Sequence, residues 1–87
     1  MTIYECCKFA IQNQSAIVIR HRENYADGNQ YDVKCWSQGN KHKWQFIDMF
    51  TAQAIITVHE ALSYTNQTKF MALPLIKLVN VTWKMMS

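Results

Sequence analysis

The hydrophobic period of this chain changes at Ile47, and that change constrains the fold more than any other feature. Before it, apolar and polar residues tend to alternate, as in a half-buried strand; after it, apolar residues recur at helical spacing. In residues 3–11, Ile3, Cys7, Phe9 and Ile11 share one face, opposite Tyr4, Cys6, Lys8 and Ala10, with Glu5 the exception on the apolar side. Gln12 to Ser15 reads as a turn. Residues 16–22 then set Ile17, Ile19 and His21 against Val18, Arg20 and Arg22, which predicts a first hairpin. A loop over residues 23–30 holds the turn pair Asp27-Gly28. Beyond it, Tyr31, Val33 and Cys35 alternate with Asp32, Lys34 and Trp36. Gln38-Gly39-Asn40 reverses the chain, and His42, Trp44 and Phe46 alternate with Lys41, Lys43 and Gln45, a second hairpin.

From Ile47 onward, Ala54, Ile55, Val58, Ala61 and Leu62 form one apolar helical stripe. Thr51 is the expected N-cap, with Phe50 and Ile55 as a hydrophobic staple and Asp48 as the competing cap. The helix is expected to end near Tyr64 to Asn66. Residues 69–73 and 75–85 return to a strand reading, interrupted by Pro74 at an edge or a bulge. The expected fold is therefore α+β: an antiparallel β-sheet in β-β-β-β-α-β order, with one helix packed on one face.

Eighty-seven residues suit a single domain, residues 1–87. Apolar residues make up 49% and charged residues only 17%, a balance that argues against intrinsic disorder. The net charge of +3 permits a nucleic-acid partner without requiring one. Three cysteines, two of them adjacent, fit no disulfide framework and predict reduced thiols in a reducing compartment. The N-terminus does not read as a signal peptide, and no apolar run approaches the roughly 20 residues that span a bilayer. A cytoplasmic location with no membrane partner is the expectation (the host cytoplasm if the protein is viral). The Asn-x-Ser/Thr triplets at Asn13, Asn66 and Asn80 are read as accidental in that setting.

Catalytic and metal-binding patterns are weak. No glycine-rich phosphate loop, His-Glu-x-x-His or Gly-x-Ser-x-Gly occurs. His59-Glu60 reads as a solvated helix surface, and no enzymatic activity or cofactor is expected. Folding the two hairpins on paper brings Cys7, His21, Cys35 and His42 to one side of the sheet. These are tetrahedral zinc ligand types without a zinc-finger spacing, so the set is expected to be core.

Two surfaces remain as binding candidates. Arg20, Arg22, Lys34, Trp36, Lys41 and Lys43 share the parity opposite the apolar face, where cations could follow phosphates while Trp36 stacks a base. In element order this resembles some single-strand-binding coactivator folds. The second surface is the C-terminal strand, apolar on both parities, which suits a contact with another chain or a homodimer. The main expectation is non-enzymatic binding of a partner protein, with Arg22, Tyr25, Trp36 and Trp83 as anchors. In size and general organisation the chain resembles small phage-encoded inhibitors of host defence, including anti-CRISPR proteins, which implies action by covering a target's surface. The alternatives are single-stranded nucleic-acid binding through the basic sheet face and a self-assembling structural subunit.

Overall fold

The computed structural model describes residues 1–22, 30–37 and 43–87. Among these residues the chain runs α1 (Ile3–Asn13), β1 (Ile17–His21), β2 (Tyr31–Cys35), β3 (Gln45–Ile47), α2 (Met49–Ala61), α3 (Tyr64–Met71) and α4 (Leu75–Met86). The class is α+β with an antiparallel sheet, as the periodicity predicts, but the element order differs.

The first correction is at the N-terminus, where residues 3–11 form a helix instead of a strand. Ile3, Cys6, Cys7 and Ala10 are buried at i, i+3, i+4 and i+7, a helical stripe that also passes for imperfect alternation. The deciding local signal is a capping box. The Glu5 N–H donates to Thr2 Oγ1 at 3.2 Å, and the Thr2 N–H donates to Glu5 Oε1 at 3.0 Å. Gln14 ends the helix in the left-handed conformation at φ 49°, its N–H directed at the carbonyls of Ala10 and Ile11.

The sheet has strand order β2-β1-β3, so the expected second hairpin is not formed. Its two halves flank β1 on opposite sides, with Ile17 opposite both Cys35 and Ile47, and Val18 opposite both Lys34 and Phe46. The sequence reason is the run Ile17-Val18-Ile19, buried on both faces at 0%, 1% and 0% exposure. An unbroken apolar run suits a strand with neighbours on both sides. The segments around Asp27-Gly28, Gln38-Gly39-Asn40, Lys41 and His42 lie outside the described residues.

α2 starts one turn earlier than the Thr51 cap implies. Asp48 is the N-cap, its carboxylate accepting from the Thr51 N–H at 2.6 Å, and the expected staple residue Phe50 is left 78% exposed. The helix ends at Ala61, and Ser63 caps a separate α3, its Oγ accepting from the Asn66 N–H at 3.4 Å.

The C-terminal strands are also corrected. Residues 64–71 and 75–86 are helical, and Pro74 is the N-cap of α4 at φ −58°, ψ 150°, its carbonyl accepting from the Leu78 N–H at 2.9 Å. Val79, Val81 and Thr82 favour a strand by propensity, but Leu75, Leu78 and Thr82 are buried together at i, i+3 and i+7. Burying that stripe outweighs preferences of a few tenths of a kcal/mol per residue. The proposed C-terminal edge strand for a homodimer therefore does not exist, and the likeness to coactivator folds with four strands before a helix lapses.

One core unites these elements: α1 packs along α2 and against β1 and β2, and α4 packs against α2. Its centre holds Ile3, Cys6, Cys7, Ile17, Ile19, Ile47, Ile55 and Leu78. Several helices rather than one thus contribute to the core on the inner face, and the side chains of the other sheet face form the site below. Among the described residues no helix is long and apolar enough to cross a membrane.

Candidate functional site

Strand alternation and the register sort the side chains of the sheet. Ile17, Ile19, Val33, Cys35 and Ile47 lie on the parity of the core face. Val18 and Arg20 of β1, Asp32 and Lys34 of β2, and Phe46 of β3 lie on the other. Trp36 and Trp44, just outside β2 and β3, continue that second parity. Val18 is buried but outside the main core cluster, flanked in register by Lys34 and Phe46.

The rings on this face form two groups. Trp36 and Phe46 meet edge to face with centroids 4.8 Å apart, and they remain 46% and 51% exposed. Trp44 carries cations: the Arg20 guanidinium carbon is 4.6 Å and Lys34 Nζ 4.4 Å from its ring centroid. At the upper end of β1, Asp32 bridges two arginines, with Arg22 Nε 2.5 Å from Oδ1 and Arg20 Nη2 3.3 Å from Oδ2. Donation from Arg22, and then from Arg20, holds the Asp32 carboxyl below its ordinary pKa. The surface thus carries an exposed aromatic pair at one end and a group of mixed charge at the other.

Sequence parity places Arg20, Arg22, Lys34 and Trp36 together, and the register agrees for Arg20, Lys34 and Trp36; the Arg22 N–H donates to Gln30 O at 2.9 Å, which carries the same ladder one residue further. The partner of Arg20 and Lys34 is new, because both cations lie over Trp44. Trp44 and Phe46 were expected on the core face and are missed by the sequence reading. The signal for them is Ile47: as the inward residue of β3 it fixes Phe46 outward, whereas a strand ending at Phe46 inverts the face. Lys43 is exposed at φ 64°, immediately before Trp44. Tyr25 and Lys41 lie outside the described residues. Trp83 is elsewhere, on α4, where it stacks with Phe50 at 6.3 Å and 21°.

The Cys7, His21, Cys35 and His42 set is not assembled. Cys7 is inside α1; His21 pairs with Tyr31 at one end of β1 and Cys35 with Ile17 at the other; His42 lies outside the described residues. No cluster of three metal-ligating side chains occurs among the described residues. Burial pushes the Cys6 and Cys7 thiols up to about 12, far from thiolate chemistry at neutral pH.

A second polar region lies where α1, α2 and α3 meet, around a cavity of about 250 Å³. Tyr4 stacks on His59 with centroids 3.9 Å apart, and the Tyr4 hydroxyl donates to Glu60 Oε1 at 3.0 Å. His59 Nδ1 is buried and has no hydrogen-bond partner among the described residues. Burial lowers the His59 pKa, which favours the neutral ring. The expected solvated His59-Glu60 surface is therefore tied to α1 through Tyr4.

No family model, curated protein or solved structure matches the chain.

Proposed function

We propose that this protein is a non-catalytic binding module that occupies a surface of a partner protein through the open face of its sheet. The observation that carries this reading is the exposed Trp36–Phe46 pair at one end of this face, with Lys34, Arg20, Asp32 and Arg22 following it along the strands. Aromatic and arginine side chains dominate binding energy at protein interfaces, and a polar rim around them is the usual anatomy. Asp32 favours a protein over single-stranded nucleic acid: it sits among the arginines and offsets the field that would attract phosphates. Inhibition of a host defence system is one form of this function, implied by the resemblance in size and organisation to small phage-encoded inhibitors.

The test compares the wild type with a Trp36→Ala/Phe46→Ala variant, which removes two half-exposed rings and is confirmed to be folded by circular dichroism. Capture from host extract is expected to recover a stoichiometric protein with the wild type and to lose it with the variant. Labelled single-stranded oligonucleotide supplies the opposite arm. Binding that weakens steeply with salt and tightens in Asp32→Asn would replace the protein reading with the nucleic-acid one. A dimer of the wild type that the double substitution dissolves would make the partner a second copy of the chain.

A further inference from the structure

We propose a second docking surface, separate from the sheet: the outer face of α4 with Phe50, whose occupant is the surface of an anionic lipid bilayer. α4 is turned outward in an unusual sense. Its Thr82 is fully buried, with the hydroxyl donating to Leu78 O at 2.8 Å, while Ile76 is 69% exposed. The doublet Ile76-Lys77 recurs as Trp83-Lys84 seven residues on, two helical turns away. Ile76 and Trp83 therefore form one row along the helix, and Lys77 and Lys84 form the adjacent row. Phe50, at the start of α2, stacks on Trp83 and widens the apolar row.

Charge identifies the occupant. Residues 1–60 carry six Lys and Arg against six Asp and Glu, so their formal charges cancel. Residues 61–87 carry Lys69, Lys77 and Lys84 and no acid, so the whole net charge of +3 belongs to the end of the chain that holds α3 and α4. The acid nearest Phe50 in sequence, Asp48, is engaged at the α2 N-terminus, where it caps the Thr51 N–H. Among the described residues no ion pair engages Lys77 or Lys84, and a basic row beside an apolar row calls for an anionic, apolar partner.

Shape favours a bilayer over a helix of another protein. A docked helix needs a groove to bury its anchors, whereas Phe50 and Ile76 are themselves 78% and 69% exposed. A second copy of the chain fits less well, because two such faces bring lysines of like sign together. On a bilayer, Trp83 lies at the headgroup level, Phe50 and Ile76 enter the acyl boundary, and the lysine stems run along the apolar surface with their ammonium groups at the lipid phosphates. The contact is interfacial.

The test is co-sedimentation of the intact chain with phosphatidylcholine vesicles, with and without phosphatidylglycerol. Partitioning is expected only on the phosphatidylglycerol vesicles and should fall as salt rises. Each juxtamembrane lysine is worth about 1 kcal/mol, so Lys77→Gln/Lys84→Gln should weaken partitioning roughly thirtyfold. These exposed lysines can change without disturbing the core. Phe50→Ser should weaken it at an unchanged melting temperature, and Trp36→Ala/Phe46→Ala should leave it intact, which separates this surface from the sheet face. Failure of the folded wild type to sediment at low salt would overturn the proposal. So would equal binding to neutral vesicles, or full binding by the lysine variant. A wild-type dimer that is lost in Phe50→Ser, without vesicle binding, would assign the face to a second copy instead.

Discussion

Replacing Asp32 by Asn tests the charged part of the sheet face in a single substitution. Its carboxylate is 27% exposed and accepts from two arginines that are 53% and 46% exposed, so solvent screens both pairs. Exposed pairs contribute about 0.2–1 kcal/mol each, and the closer Arg22 contact belongs towards the upper end. Together they should stabilise the fold by about 1 kcal/mol, or about 4–8 °C in melting temperature for a domain of this size. The Asp32 pKa lies below its ordinary value in the folded chain, so this stability is present above about pH 4, where the unfolded carboxyl is ionised. It is lost as pH falls through the lowered folded value. Urea unfolding of the wild type and Asp32→Asn at pH 7 and about pH 2 measures both quantities. A gap near 1 kcal/mol at pH 7 that closes in acid is expected. A gap of the same size at low pH would show that Asn disturbs the strand itself, and no gap at pH 7 would show that the bridges contribute nothing. A double-mutant cycle should give stronger coupling of Asp32 to Arg22 than to Arg20.

The remaining predictions concern α1 and the core. Thr2→Ala removes the capping box and should destabilise the fold by about 1 kcal/mol in urea unfolding; no effect would argue against a helix starting at Ile3. Gln14→Gly relieves a left-handed conformation in a residue with a Cβ, and should raise stability by about 1 kcal/mol in the same assay. Ile55→Ala empties a site that is fully buried between packed elements and should cost about 2–5 kcal/mol, against little effect for Gln53→Ala on the exposed side of the same helix. Cys6 and Cys7 should resist a disulfide reagent at about pH 8 in the folded protein and react at once in denaturant; rapid labelling of both in the native state would contradict their burial.

Features that depend on period and local chemistry can be read from the order of the residues alone. β1 and β2 are where the alternation puts them, and α2 follows its stripe, with its start moved from Thr51 to Asp48 because the aspartate meets the free N–H groups one turn earlier. The shared outward parity of Arg20, Lys34 and Trp36 was equally legible, because a period of two needs no knowledge of the partner strand. Features that depend on distant neighbours are set by packing. Residues 3–11 and 75–85 support either period, since apolar residues occupy positions common to both. Packing of α1 along α2 and of α4 on α2 selects the helix, because that arrangement buries Cys6, Cys7, Leu78 and Thr82 together. The position of β3 beside β1 was likewise hidden, and with it the outward turn of Trp44 and Phe46 that completes the aromatic face. A one-residue change of parity moves every side chain of a strand to the other face, and only burial of Ile47 against the core fixes which parity holds.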